Sequence, residues 1–232
     1  MNVLALDTCF DACSAAVGRG VRSLTPSIAF DFAPMTVGHA ERLMPMIKTL
    51  MADASLAFAA LDRIAVTAGP GTFTGTRISV AAARALALAT GAPIVVYSSL
   101  NLMAMSPRIP AARARRLAIA TDARRGEVYL QIFNRHTSAP VAPPRCVALA
   151  DAEDALAGGP ITIAGSGAAA LADAARASGV DAEAILPDLL PDAIDMLFAA
   201  SEHPGARTVS PIYLRPPDAK PPTARPLAGA AA

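Results

Sequence analysis

A single histidine opens an apolar-periodic segment, His39-Ala40-Glu41-Arg42-Leu43. Two groups at i and i+4 share one helix face, so a His-x-x-x-His pair would hold a metal ion there. The fourth-residue partner of His39 is Leu43, followed by Ile47 and Leu50. Only His136 and His203 remain, and neither makes a helical pair with the other or with His39. No metal site is predicted. His39 instead reads as a polar group at a helix start or interface, bonded to a backbone or carboxylate oxygen and neutral.

The second chemical signal is Gly69-Pro-Gly71-Thr72-Phe-Thr74-Gly75-Thr-Arg77, a turn between a predicted strand and a predicted helix. Free N–H groups at a helix N-terminus attract anions, and Arg77 would add positive charge in the first turn. The spacing, however, is G-x-G-x-x-x-G, one residue longer than the dinucleotide fingerprint. It lacks the lysine of the phosphate loop of nucleotide hydrolases. A tight strand-to-helix reversal, using glycine for conformational freedom, is the competing reading. Together the two segments suggest a nucleotide-type fold stripped of its chemistry, with helices that serve a partner.

The elements that must position these residues follow from composition and pattern. At 232 residues, the chain can bury a sizeable core as one domain or two small ones. A net charge of +1 gives no steering toward nucleic acid. No run of 18 apolar residues suggests a membrane span. No basic segment precedes the first apolar run, and Asp7 interrupts that run, so no signal peptide is expected. Cys9, Cys13 and Cys146 form neither a paired framework nor a C-x-x-C motif, and they read as small thiols of a reducing cytoplasm.

Val3 to Asp7 and Cys13 to Gly18 predict a hairpin, with a third strand from Ser27 to Phe32. A helix from His39 to Ala54, a strand from Asp62 to Thr67, and a helix from Thr76 to Thr90 follow, then a strand from Ile94 to Tyr97 and a short helix through Met105. Ser106 to Arg116 carries two prolines and four arginines and marks a boundary. Beyond it the order restarts, with a hairpin of Leu117 to Asp122 and Glu127 to Phe133, a helix near 150–157, and a strand from Ile161 to Ala164. Gly165-Ser166-Gly167 leads into an alanine-rich helix, and Pro191 to Glu202 and Val209 to Leu214 read as a last helix and strand. The units are therefore 1–106, 107–215 and a proline-rich tail, 216–232, expected to be disordered. Each half starts with a hairpin, so mixed sheets flanked by helices are expected, an α/β fold.

On a helical wheel, Leu43, Met44, Met46, Ile47, Leu50, Met51 and Ala54 span roughly 160°, wider than the 100° stripe that packing on one sheet needs. The methionine-rich excess suits a partner surface that begins at His39. Pro45 is expected to kink this helix or mark its true first turn. Arg108, Arg113, Arg115 and Arg116, with Arg124 and Arg125, form a candidate phosphate-binding patch or a solvated linker.

Leu4-Ala-Leu-Asp7-Thr8, the His39 and Gly69 segments, Asp122-Ala-Arg-Arg-Gly-Glu127-Val-Tyr129 and Pro211-Ile-Tyr213-Leu-Arg215 occur in this order along nearly the whole chain. In these segments the sequence resembles the TsaB (YeaZ) family, non-catalytic subunits of the bacterial tRNA threonylcarbamoyladenosine (t6A) machinery. The resemblance implies the two-lobed actin/Hsp70/sugar-kinase (ASKHA) fold in a cytoplasmic protein. It implies a catalytic paralogue, TsaD, and an ATPase, TsaE, with tRNA met through the complex and a homodimer in isolation through the N-terminal lobe. Catalysis, ATP and metal would then belong to the partners; TsaD holds its metal through a His-x-x-x-His helix whose second position here is Leu43. Asp7, Thr8, Asp122, Gly165 and Gly167 would be relics of a nucleotide cleft. On this reading, Leu43→Glu or Ile47→Glu separates the partners and spares the fold. The rivals are an independent ATP-dependent phosphotransferase of the ASKHA fold, a glycoprotease-like metallopeptidase and a stand-alone homodimeric binding protein.

Overall fold

The computed structural model describes residues 1–110, 114–137 and 139–215. Arg113 and the proline-rich tail from 216 lie outside the described residues. Two five-stranded sheets form the frame. The first uses β1 (Val3–Asp7), β2 (Ala12–Arg19), β3 (Ser27–Pro34), β4 (Arg63–Thr67) and β5 (Ile94–Tyr97), in the order β3-β2-β1-β4-β5. The second uses β6 (Arg116–Asp122), β7 (Glu127–Asn134), β8 (Arg145–Ala148), β9 (Ile161–Ala164) and β10 (Ala182–Ile185), in the order β10-β9-β6-β7-β8. In each, a three-stranded antiparallel meander is extended by two parallel strands. The mixed sheets expected from the starting hairpins are present in both halves.

The helices are α1 (His39–Asp53), α2 (Phe73–Thr90), α3 (Ser99–Ala104), α4 (Ala152–Leu156), α5 (Ala168–Ala177) and α6 (Leu197–Glu202). β1 is buried along its whole length, as its unbroken apolar run requires of a strand covered on both faces. One face of the first sheet carries α1 and α2 over Leu4, Leu6, Val17, Ile64 and Val66. α2 begins at Phe73 rather than Thr76, because Thr72 is the N-cap and its hydroxyl accepts from the Gly75 N–H at 3.1 Å. The helix of α1 starts at His39 and continues through Pro45, so Pro45 does not mark its first turn.

The sheets divide near residue 106, but the packing does not follow the chain. α3 precedes that point yet buries Leu100 and Met103 against Leu117, Ile119 and Phe133 of the second sheet. Conversely, Ala193, Met196, Leu197 and Ala200 pack on Val3, Ala5 and Ala16 of the first sheet, and Val209 enters the core under α1. The unit 107–215 is therefore corrected: from Ala193 onward the chain belongs to the first lobe, where its apolar residues find their partners. The stretch 209–214 is not a strand. It is a strap that docks through the Ile212 N–H on the Ala68 carbonyl at 2.6 Å. β8 and β10 are short strands that the sequence pattern did not reveal.

Candidate functional site

The glycine-rich loop is shaped by its contact with the first hairpin turn. A Cβ on Gly71 would lie 2.2 Å from the Cys9 carbonyl oxygen, and one on Gly75 would lie 2.0 Å from that of Thr8. The Thr72 N–H donates to the Cys9 carbonyl at 2.7 Å, and the Thr8 hydroxyl donates to the Gly75 carbonyl at 2.7 Å. The glycines therefore permit backbone-to-backbone packing, and two of the loop's backbone groups are spent inside the protein. Thr74 and Arg77 are exposed. The Arg77 guanidinium lies 3.6 Å from the centre of the Phe73 ring and donates from Nε to the Tyr213 hydroxyl at 2.9 Å, while Phe73 and Tyr213 stack at 5.7 Å. Arg77 thus fastens the strap to α2.

Asp7 does not face the cleft. It is 0% exposed at the end of β1, where Oδ1 accepts from the Thr67 hydroxyl and Oδ2 from the Cys9 N–H. Burial pushes its carboxyl up to about 7, against the lowering effect of these bonds. Thr8 is likewise fully buried. Burial pushes the Cys9 thiol up to about 12, and that of Cys13 up to about 11, so neither is a nucleophile.

The matching turn of the second lobe, Asp122-Ala-Arg-Arg-Gly126, is exposed at Asp122. Asp122 accepts from the Arg124 N–H at 2.7 Å, and Arg124 and Arg125 both take positive φ, 67° and 58°. Gly165 and Gly167 are also packing glycines. A Cβ on Gly165 would meet the Ala120 carbonyl oxygen at 2.5 Å, and one on Gly167 the Val128 side chain at 2.7 Å. Of the five residues expected to outline a nucleotide cleft, Asp122 alone lines the opening between the lobes, a cleft of about 400 Å³. Phe10, Phe73, Arg124, Ser166 and Arg215 share that opening. Arg215 bonds Glu127 and the Arg124 carbonyl, so the strap ties the first lobe to the second-lobe hairpin.

The apolar ridge of α1 faces inward. Leu43 and Ile47 are 1% and 0% exposed, and Met46, Leu50 and Met51 are buried with them in the first-lobe core. These five are corrected from a free partner surface to core, because β2 and β3 take up the width of stripe that was assigned to a partner. Met44 is the exception, at 43% exposed. His39 is buried too, its Nε2 bonded to the Phe10 carbonyl at 3.0 Å, which anchors α1 to the first hairpin turn. The alanine-rich α2 leaves an outer face open. Ala81, Arg84, Ala85 and Ala89 are exposed, and Leu88 is 89% exposed. The arginine patch divides as well. Arg108 pairs with Asp188 at 2.7 Å, and Arg116 donates to the carbonyls of Leu156 and Gly159. Among the described residues, no group of three His, Cys, Asp or Glu side chains is arranged to hold a metal ion. No described helix is long and apolar enough to cross a membrane.

Two sheets of one shared order, with a cleft between them and chain crossing from lobe to lobe, define an α/β protein of the ASKHA class. Here Gly71, Gly75 and Gly165 pack against the protein's own backbone. The family model for TsaD, tRNA N6-adenosine threonylcarbamoyltransferase, matches residues 35–185. The tRNA threonylcarbamoyladenosine biosynthesis protein TsaB of Escherichia coli is 32% identical over 93% of this chain and 95% of its own length. The tRNA N6-adenosine threonylcarbamoyltransferase of Erythrobacter litoralis is 44% identical, but over 31% of this chain and 21% of its own. The structure of YeaZ from Pseudomonas aeruginosa superposes with a TM-score of 0.74 and 28% identity, covering 92% of this chain and 99% of that one. The chain belongs to the TsaB (YeaZ) family.

Proposed function

We propose that this chain is the non-catalytic scaffold subunit of the complex that transfers threonylcarbamoyl to N6 of adenosine 37 in tRNAs reading codons that begin with A, and that it binds and activates TsaD. The observation that carries this reading is the packing of Gly71, Gly75 and Gly165 against the protein's own backbone, beside two helices whose outer faces carry exposed apolar side chains, Met44 and Leu88. A phosphotransferase needs those turns open for phosphate, and a metallopeptidase needs a ligand set. The full-length likeness to TsaB and the partial likeness to the transferase support a paralogue that kept the frame and left the reaction to its sibling.

The partner surface consists of the outer faces of α1 and α2, adjacent helices, and not the buried ridge. ATP and a metal ion act in TsaD and TsaE, tRNA is met through the assembly, and the site of action is the cytoplasm. The test is co-purification with the host's TsaD. Met44→Glu combined with Leu88→Glu is expected to abolish capture while Tm stays within about 2 °C, since exposed substitutions change stability little. Undiminished capture by the double variant would overturn the assignment of this surface.

A further inference from the structure

The lobes are joined by α3 and by the strap, and the two are built of different chemistry. α3 is an apolar wedge. Its Leu100 and Met103 cluster with Leu117, Ile119 and Phe133 of the second sheet, whereas Leu102 clusters with Val3, Ala5 and Tyr97 of the first. All three are 0% exposed, so neither sheet can leave α3 without uncovering apolar surface. Its first turn is also fastened to the glycine-rich loop. The Ser99 N–H donates to the Gly69 carbonyl at 2.9 Å, and the Ser99 hydroxyl donates to the Pro70 carbonyl.

The strap is held unequally at its two ends. On the first lobe, Val209 is buried in the core under α1 and Ile212 packs beside it. The Ile212 carbonyl oxygen lies 2.6 Å from where a Cβ on Gly69 would stand, so glycine there lets the strap seat closely. Tyr213 adds its stack on Phe73 and its bond to Arg77. Among the described residues, Arg215 alone forms the second-lobe end. Its guanidinium bonds the Glu127 carboxylate and, at 3.4 Å, the Arg124 carbonyl, with the Cys146 thiol beside the pair. No described apolar side chain of the strap enters a second-lobe cluster. The Arg215 and Glu127 side chains remain 21% and 35% exposed, within reach of water.

We propose that the strap is a releasable latch: Arg215 lets go of the second-lobe hairpin and the second lobe swings about α3, while residues 209–213 stay seated on the first lobe. The unequal attachment decides where the connection parts. Lifting the first-lobe end uncovers Val209 and Ile212 and separates two stacked rings. Releasing the other end exchanges a partly exposed ion pair for water, and such pairs hold weakly. Hinge motion of this kind needs a fixed pivot and a contact that can break, and α3 and Arg215 supply them. As the latch opens, the cleft widens between Phe10, Gly71 and Phe73 of the first lobe and Asp122, Arg124 and Ser166 of the second. The latch belongs to this chain and does not depend on the scaffold reading.

The test measures lobe separation in the full chain by double electron–electron resonance. Spin labels are placed through Arg84→Cys on α2 and Glu153→Cys on α4, both exposed positions. Cys146→Ser removes the partly exposed thiol and keeps a hydroxyl beside the latch, while Cys9 and Cys13 are buried. Arg215→Glu sets two carboxylates against each other and should shift the distances upward, because like charges at contact repel. Adding Glu127→Arg should bring the distribution back toward that of the parent. Arg215→Gln removes the charge without adding another; it should shift the distances in the same direction and replaces Arg215→Glu if that variant does not fold. Hydrogen exchange on the chain with its cysteines intact locates the break. In Arg215→Gln the Ile212 amide, bonded to Ala68, should keep its protection within about twofold. Three outcomes overturn the proposal: distances unmoved by loss of Arg215, no return with the exchanged pair, or loss of Ile212 protection together with widening, which would mean that the whole strap peels away.

Discussion

Truncating Ile47 to alanine distinguishes a buried ridge from a docking ridge. Ile47 is 0% exposed and packs with Leu43, Met51 and the residues of β1 and β2 in the first-lobe core. Removing buried aliphatic carbons loses their transfer free energy and leaves a cavity, together about 2–5 kcal/mol. A domain of this size gains only about 5–15 kcal/mol from folding, so the loss is a large fraction. At about 2–4 °C per kcal/mol, Tm should fall by about 10 °C. Met44 on the same helix is 43% exposed, and Met44→Ala should move stability by no more than about 0.5 kcal/mol. Urea denaturation followed by far-ultraviolet circular dichroism measures both, and TsaD capture is scored in parallel. If Ile47→Ala lost capture with an unchanged midpoint, the inward orientation of this ridge would be refuted.

The buried carboxylates give the fold a pH dependence with a definite sign. Burial raises Asp7 to about 7 and Asp195 to about 6, above their ordinary value of 3.8. Between those limits the native state holds protons that the unfolded state has released, so their contribution to stability falls as pH rises from about 4 to about 7. Asp7→Asn keeps an acceptor for Thr67 and should flatten this decline, gaining up to a few kcal/mol over the parent at pH 8 and little at pH 4. Equal pH profiles for parent and variant would show that Asp7 is not held protonated. Gly75→Ala should leave little folded protein, since its Cβ has backbone 2.0 Å away, whereas Gly91→Ala meets nothing within 4 Å and should cost about 1 kcal/mol through its φ of 76°. Soluble yield and Tm of the pair check this contrast.

Much of the frame was legible because its signals are local. Apolar runs ending at Asp7 and Thr67 marked the buried strands, and Gly91-Ala-Pro93 stopped α2 at Thr90. The restart after residue 116 showed that the second half repeats the order of the first. What the pattern concealed was long-range. A helical wheel gives the width of an apolar stripe but not what covers it, so the ridge from Leu43 to Met51 read as surplus when β2 and β3 required it. Alanine is indifferent to burial, so α2 hid an exposed outer face. Glycines at Gly71 and Gly75 suit phosphate and close backbone contact equally well, and only the position of the Thr8–Cys9 turn decides between them. The strap from Val209 to Arg215 carries β-prone residues but spends its backbone on Ala68 and its side chains on Phe73, Arg77 and Glu127.

The proposed division of labour is tested most directly by reconstituted threonylcarbamoyl transfer to tRNA, with TsaD, TsaE, ATP and a threonylcarbamoyl donor supplied. No transfer is expected from this chain alone, full transfer when it is added to the partners, and loss of that stimulation in the Met44→Glu, Leu88→Glu variant. Transfer by the chain without TsaD, or stimulation undiminished in the double variant, would contradict the account.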